Sequence, residues 1–162
     1  MFEREITLNE FNRFYLRNLL AEIPKSSMDE VAFEGAHSLR WILAHLAIAA
    51  DYGRIQFGES MDMPGEWHQA YGPTSQSGSH PSVQPSKADL MEAIDRGYTG
   101  LVELAKHTKG EIMQQDHTVD LLRHTPLKTK GDIVAHILAT HFATHIGQLS
   151  VLRRMRGEKP LF

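Results

Sequence analysis

Two histidines near the end of the chain have the spacing of paired metal ligands. His141 and His145 are four residues apart in a segment that predicts a helix. At about 100° per residue the two positions differ by roughly 40° around the helix axis, so both imidazoles point the same way, one turn apart. Neutral imidazole is the commonest metal ligand in proteins. Because Phe142 follows His141, the pair lacks the glutamate of the HExxH zinc-protease motif.

The same two histidines lie on an apolar stripe between Ile137 and Leu152, which predicts that they face the interior. Buried imidazoles need partners, and one metal ion would supply a partner for both. Two unconnected histidines, each with its own hydrogen bond or exposed to solvent, would show the same spacing. Gln148, three residues after His145, either orients a metal-bound water or pairs with another helix.

His45 is a third candidate ligand, from a different helix. It lies on a stripe with Trp41, Ala49 and Tyr52 in the most apolar helical segment of the chain. An inward imidazole from a facing helix would complete a set of three ligands. Three protein ligands with open positions are typical of catalytic metal sites. Tyr52 is expected to be a core tyrosine, although it is also placed to line such a site.

Seven other histidines are expected to lie outside this site. His136 is about 140° from His141 around an α-helix, which predicts that it faces another surface. His37 precedes the helix that carries His45 and is expected in an exposed loop near the site. The remaining five are expected at the surface: His68, His80, His107, His117 and His124.

Composition limits the remaining possibilities. The chain has 162 residues with ten histidines and no cysteine, so any metal must be held by nitrogen and oxygen. Hydrophobic residues make up 41 %, which predicts one globular domain over residues 1–162. A net charge of −3 argues against a nucleic-acid partner. The longest apolar run is about half a membrane span, and the first residues do not resemble a signal peptide, so a cytoplasmic protein without membrane contact is expected.

Four helices must position these residues. The first is predicted after a capping box at Thr7 and Glu10, with a core stripe of Leu8, Phe11, Phe14, Tyr15 and Leu19. The second begins after Ser38 and ends near Gly58, the third follows a capping box at Ser86 and Asp89, and the last follows one at Thr129 and Asp132. Residues 58–85, rich in Gly, Pro and Ser, predict a long crossover loop with a short helical turn. The pattern favours an all-α helix bundle.

Two motifs resemble those of the DinB/YfiT-like proteins. The segment from His141 to Leu149 reads HFATHIGQL and leads into Leu152-Arg153-Arg154, similar to the HxxxHxGQ…LRR signature of that family. The segment Arg40–Leu46 contains the family's W-x-x-x-H pattern at Trp41 and His45. The order of one early and two late histidines also matches, and the resemblance extends from about residue 8 to 157.

This resemblance implies a four-helix bundle of DinB/YfiT-like topology, often a homodimer. It implies a divalent metal ion (Ni, Zn, Fe or Mn) on His45, His141 and His145. Characterised relatives include S-transferases and isomerases that depend on a low-molecular-weight thiol, a hydrolase, and the iron-binding part of a sulfoxide synthase. A metal-dependent enzyme acting on a small molecule is therefore expected. The alternative is a noncatalytic protein with a structural metal or a stress-related ligand-binding role.

Overall fold

The computed structural model of the protein describes residues 1–75 and 81–161, and its secondary structure is helical. The α-helices are α1 (Glu3–Leu20), α2 (Leu39–Arg54), α3 (Gly65–Tyr71), α4 (Lys87–His107), α5 (Gly110–Met113), α6 (Lys130–Ala135) and α7 (Phe142–Met155). Short 3₁₀ turns lie at Lys25–Ser27, Ile55–Phe57 and Asp120–Leu122. Within the described ranges no β-strand forms, and extended pairing is limited to an isolated bridge. The all-α prediction is confirmed.

A π-helical turn, His136–His141, joins α6 to α7. Residues 130–155 therefore form one continuous helical segment whose middle turn is wider than an α-helical turn. A π turn contains one residue more than the surrounding α-helix needs, and such turns are frequent at functional sites. Sequence periodicity predicts an uninterrupted α-helix here, and that part of the prediction is wrong.

The predicted helix starts after residues 38, 86 and 129 are confirmed. The Ser38 hydroxyl accepts a hydrogen bond from the Trp41 backbone N–H, which satisfies one of the unpaired donors at the start of α2. Complete capping boxes begin the other two helices, formed by Ser86 with Asp89 and by Thr129 with Asp132. Gly58 adopts φ 86° directly after the 3₁₀ turn that extends α2, where a residue with a Cβ would be strained.

Close packing of α2 against α4 forms the centre of the core. A Cβ added at Gly97 would lie 2.9 Å from the Ala50 Cβ, so the glycine allows the two helices to approach closely. α1 packs against α7 and against the π turn, and α3 packs against α2. The buried apolar residues of the long helices form one cluster, which anchors both helical segments that carry the candidate ligands.

The predicted start of the first helix is wrong. α1 begins at Glu3, and Thr7 lies inside it, where its hydroxyl donates to the Glu3 carbonyl oxygen at 2.9 Å. Hydroxyls inside helices commonly bond the carbonyl four residues back instead of capping. The core stripe is also wrong in part, since Leu8, Phe11 and Phe14 are each about half exposed. Leu19, by contrast, is fully buried.

Two asparagines occupy the buried face of α1 in their place. The Asn9 amide nitrogen donates to the Leu138 carbonyl oxygen at 2.9 Å, and that of Asn12 donates to the Ala139 carbonyl oxygen at 3.2 Å. Both carbonyls belong to the π turn, which interrupts the regular hydrogen-bond pattern of the helix. The asparagines therefore attach α1 to the segment that ends at His141.

The predicted loop over residues 58–85 contains a short helix, as expected. Trp67 and Tyr71 of α3 pack against the core, so this part of the segment covers the interior. Residues 76–80, including His80, lie outside the described residues. In the part of the chain that the structure describes, none of the helices combines the length and the apolar character that a membrane crossing requires.

Replacing Asn9 tests the attachment of α1 to the π turn. Asn9→Ala leaves the buried Leu138 carbonyl without its side-chain donor. We therefore expect the free energy of unfolding to fall by about 1–3 kcal/mol. Urea unfolding measures this change. The control is Asn18→Ala, whose exposed amide bonds a carbonyl of its own helix, with an expected effect within about 0.5 kcal/mol. Equal effects of the two substitutions would contradict the structural role of Asn9.

Candidate metal centre

His45, His141 and His145 converge in the interior between α2 and the 130–155 segment. His45 lies in the middle of α2, His141 ends the π turn, and His145 is in the first turn of α7. Their ring centroids are 4.6–5.1 Å apart. One ring nitrogen from each histidine lies within 4.8 Å of the others. The structure therefore brings together the three histidines that the sequence singles out.

Hydrogen bonds orient two of the three rings. His45 Nδ1 donates to the Tyr71 carbonyl oxygen at 2.7 Å, which leaves the lone pair on Nε2, the atom that contacts His141 Nε2. His145 Nδ1 donates to Gln148 Oε1 at 2.8 Å, which again leaves the lone pair on Nε2. A second hydrogen bond of this kind is usual for metal-binding histidines because it selects the tautomer. Gln148 thus contacts His145 itself, an arrangement different from both alternatives predicted from the sequence.

Burial keeps the three imidazoles neutral. Loss of solvation is the main cause that lowers the pKa of His45 to about 4 and the pKa of His141 to about 2. The pKa of His145 is also lowered by burial, against the opposing effect of its hydrogen bond to Gln148. Metal ligands must be deprotonated, so these shifts favour the form that binds a cation. Proton competition is then expected below the ordinary histidine pKa of about 6.5.

The separation of the nitrogens of His45 and His141 fits two ligands of one metal ion. Two nitrogens bound to zinc at about 2.0–2.1 Å in tetrahedral geometry lie roughly 3.3 Å apart. The Nε2 atoms of His45 and His141 are 3.1 Å apart. The Nδ1 atom of His141 is buried and has no partner among the described residues, so this ring lacks the orienting bond of the other two. A divalent cation would satisfy the three converging lone pairs together.

Trp41 packs against the outer side of the cluster. Its ring stacks on His45 with centroids 4.5 Å apart, and the His37 ring stacks on its other face at 3.5 Å. His37 is exposed, as predicted, yet it forms part of this ring column. The indole N–H donates to the Ser75 hydroxyl at 3.0 Å. Trp41 therefore separates His45 from solvent and restricts the rotation of its ring.

A cavity of about 510 Å³ lies on the other side of the cluster. His45 and His141 form part of its wall, and Tyr52, His68 and His136 line it as well. The cavity has the size of a small-molecule site and gives access to two of the three candidate ligands. Tyr52, expected as a core residue, is partly buried and lines this cavity. A second cavity of about 480 Å³ is lined by residues that include His37 and Gln148.

The prediction for His136 is wrong. Its ring centroid is 5.5 Å from that of His141, and it lines the same cavity. The 140° separation assumed an α-helix, whereas a π turn pairs residues five apart and places them above one another. Spacing alone could not reveal this histidine, because the sequence periodicity gives no sign of the π turn, whose carbonyl oxygens bond α1.

The surface position predicted for two more histidines is wrong. His117 is buried, where Nε2 donates to the Leu127 carbonyl oxygen and Nδ1 accepts from the Val119 N–H, so its role is structural. His68 of α3 is partly buried and bonded through Nε2 to Asp51 at 2.9 Å. His107 and His124 are exposed, as expected. The segment of His68 has no periodicity from which its position could be predicted.

The lowered histidine pKa values predict a pH dependence of stability without metal. Between about pH 6.5 and pH 4 the unfolded chain binds protons that the folded site excludes, so unfolding becomes easier as the pH falls. The expected slope is about 1.4 kcal/mol per pH unit for each histidine concerned. Urea unfolding from about pH 7.5 to pH 5, where most carboxylates stay charged, measures it.

The matched variants for this experiment are His141→Gln and His124→Gln. The first removes a partly buried imidazole with a lowered pKa and should reduce the slope, whereas the second removes an exposed one and should leave the slope unchanged. Identical slopes in the wild type and in His141→Gln would contradict the assignment of the pH dependence to the buried cluster.

Comparison with known proteins agrees with this arrangement. The model of the DinB superfamily matches residues 9–149, a range that includes all three candidate ligands. No curated protein matches the chain. The match covers most of the sequence, and the predicted resemblance to the DinB superfamily is thereby confirmed. The chain belongs to the DinB superfamily.

Proposed function

We propose that the protein is a metal-dependent enzyme that acts on a small molecule. In this proposal His45, His141 and His145 bind one divalent metal ion, which is nickel, zinc, iron or manganese. The observation that carries the proposal is the convergence of three imidazole nitrogens, with two of the histidines, His45 and His141, in the wall of a cavity. Three protein ligands beside a cavity leave positions for a substrate, whereas structural zinc sites are closed by four ligands.

The reaction class we propose is thiol-dependent S-transfer or isomerisation, with hydrolysis as the second class. A bound divalent metal would lower the pKa of a thiol or water and so supply a nucleophile near neutral pH. Cysteine is absent from the chain, so a reacting thiol must enter as a substrate, and a low-molecular-weight thiol fits the cavity volume. Gln148 and the Tyr71 carbonyl hold two imidazoles in the orientation that binding requires.

A noncatalytic role for the metal, or a stress-related ligand-binding role, is the alternative. A structural metal site predicts that chelation lowers the melting temperature and that no external ligand reaches the ion. The cavity beside His45 and His141 favours the enzyme, because it provides the access that a structural site does not need.

We also propose that residues 1–162 form one domain in which α1, α2, α4 and the 130–155 segment make a four-helix bundle of DinB/YfiT-like topology. The residues 58–85 would be the crossover. One shared core cluster supports this description. The cytoplasmic location expected from the sequence stays a prediction.

Metal titration is the first test. Protein purified without a nickel column and stripped with a chelator should bind about one zinc ion per chain, as followed by calorimetry. His45→Ala, His141→Ala and His145→Ala should each weaken zinc binding at least about tenfold, because each removes a ligand. Gln148→Ala, which removes only the partner of His145, should weaken binding about tenfold with one ion still bound.

His124→Ala is the matched control, since this histidine is exposed and outside the cluster. It should bind zinc as the wild type does. Binding of less than about 0.2 ion per chain, or zinc binding that is unaffected by loss of His145, would overturn the three-histidine site.

We propose a homodimer as the assembly. Its support is the outer face of α1, where the side chains of Leu8, Phe11 and Phe14 are about half exposed. Light scattering during size-exclusion chromatography should give twice the chain mass of 18.3 kDa. Phe14→Glu should shift the protein towards the monomer, while Val83→Glu, a change at an exposed residue outside α1, should not. A monomeric wild type would contradict the proposal.

A further inference from the structure

A buried carboxylate lies beside the cavity, and the proposed metal site does not use it. Asp51 is completely buried, and it is the one such carboxylate in residues 1–75 and 81–161. It lies on α2, six residues after His45. A buried negative charge is costly unless it is bonded and compensated, so its partners indicate why it is retained.

Three donors hold the Asp51 side chain. The backbone N–H groups of Asp62 and Met63 donate at 3.0 and 2.9 Å, and His68 Nε2 donates at 2.9 Å. Burial alone would raise the pKa of Asp51, but the bonds from His68 and the two N–H groups lower it on balance. Asp51 is therefore a carboxylate, and a carboxylate can only accept. The proton between the two side chains is thus on His68 Nε2.

The other nitrogen of His68, Nδ1, is buried and has no hydrogen-bond partner among the described residues. In the neutral ring with a proton on Nε2, Nδ1 carries the lone pair. The ring lines the same cavity as His45 and His141, and the Tyr52 ring packs edge-on against it at 5.7 Å. A buried nitrogen without a partner favours a ligand that brings a donor.

We propose that His68 accepts the proton of a thiol that binds in the cavity, with Asp51 as the positioning residue. The S–H bond breaks, the proton moves to His68 Nδ1, and the electron pair stays on sulfur. Asp51 keeps His68 in the required tautomer and balances the positive charge of the imidazolium, the role that a carboxylate plays beside a general-base histidine. This inference rests on the proposed function.

Other titratable groups of the cavity are less suited to this role. His136 also lines it, but its Nδ1 contacts the Thr140 hydroxyl at 2.7 Å, and burial lowers its pKa with no carboxylate to compensate a charge. His45 and His141 are the proposed ligands. The remaining titratable groups of the cavity wall are Tyr52 and Asp120. His68 is the imidazole of the cavity that has both a bonded carboxylate and a nitrogen without a partner.

The tautomer of His68 gives a test that needs neither metal nor activity. Nitrogen-15 NMR of the metal-free wild type near neutral pH should show the proton of the neutral ring on Nε2 and none on Nδ1. In Asp51→Asn this preference should be lost, because the amide can donate as well as accept. A neutral wild-type ring with its proton on Nδ1 would overturn the inference.

Proton counting tests the transfer itself. 2-Mercaptoethanol is titrated into zinc-loaded protein by calorimetry near neutral pH, in two buffers with different ionisation enthalpies. A thiol is mostly protonated at this pH, so the wild type should release almost no proton to the buffer, since His68 retains it. His68→Gln should release about one proton per bound thiol. His124→Gln, at an exposed histidine that does not line the cavity, is the control and should behave as the wild type does.

The outcomes separate the two proposals. One proton released by both the wild type and His68→Gln, at equal thiol affinity, would overturn the role of His68 and leave the metal-dependent function standing. Absence of thiol binding to the zinc-loaded wild type would count against the thiol-dependent function, while the NMR tautomer would still decide the Asp51–His68 pair. Because the NMR measurement uses the wild type, a variant that folds poorly does not prevent the test.

Discussion

Burial of three imidazoles on two facing helical segments is the constraint on which the rest of the structure depends. Each ring has lost most of its solvation, so its nitrogens need partners inside the protein. The second nitrogens of His45 and His145 bond the Tyr71 carbonyl and Gln148. The nitrogens that remain lie within 4.8 Å of one another, and the Nε2 atoms of His45 and His141 are 3.1 Å apart. An interior arranged in this way lowers the pKa values of its imidazoles and so keeps them in the neutral form that a metal ion requires.

Much of the fold follows from local signals that no tertiary contact overrides. Capping residues at 38, 86 and 129 satisfy backbone donors within a few residues, so those helix starts are predictable. α1 is different because its inward face is chosen by its partner. Asn9 and Asn12 are buried since the π turn offers them carbonyl oxygens, and the apolar Phe11 and Phe14 remain on the outside. A hydrophobic pattern contains no information about such polar complementarity between distant segments.

The candidate site likewise contains some residues that local sequence signals predict and others that they do not. His141 and His145 could be predicted because four residues span nearly one turn, and His45 because its helix is apolar on most sides. His136 was assigned to another surface only because the periodicity of an α-helix was assumed through the π turn. His68 depends on a hydrogen bond to Asp51 across seventeen residues of chain, for which the sequence has no local signal. The clustering of these three histidines could therefore be predicted from the sequence, whereas the residues around them could not.

Two hydrogen bonds between α2 and α3 connect the three-histidine cluster with the Asp51–His68 pair. His45 bonds the Tyr71 carbonyl, and six residues further along α2 Asp51 bonds His68. Since Tyr71 and His68 are separated by less than one helical turn, α3 is held to α2 as a single unit. Movement of α3 would release the orienting partner of a candidate ligand and the proton acceptor of the cavity together. The short helix α3 is thus part of the candidate site, and the Tyr71 carbonyl and the His68 ring cannot change position independently.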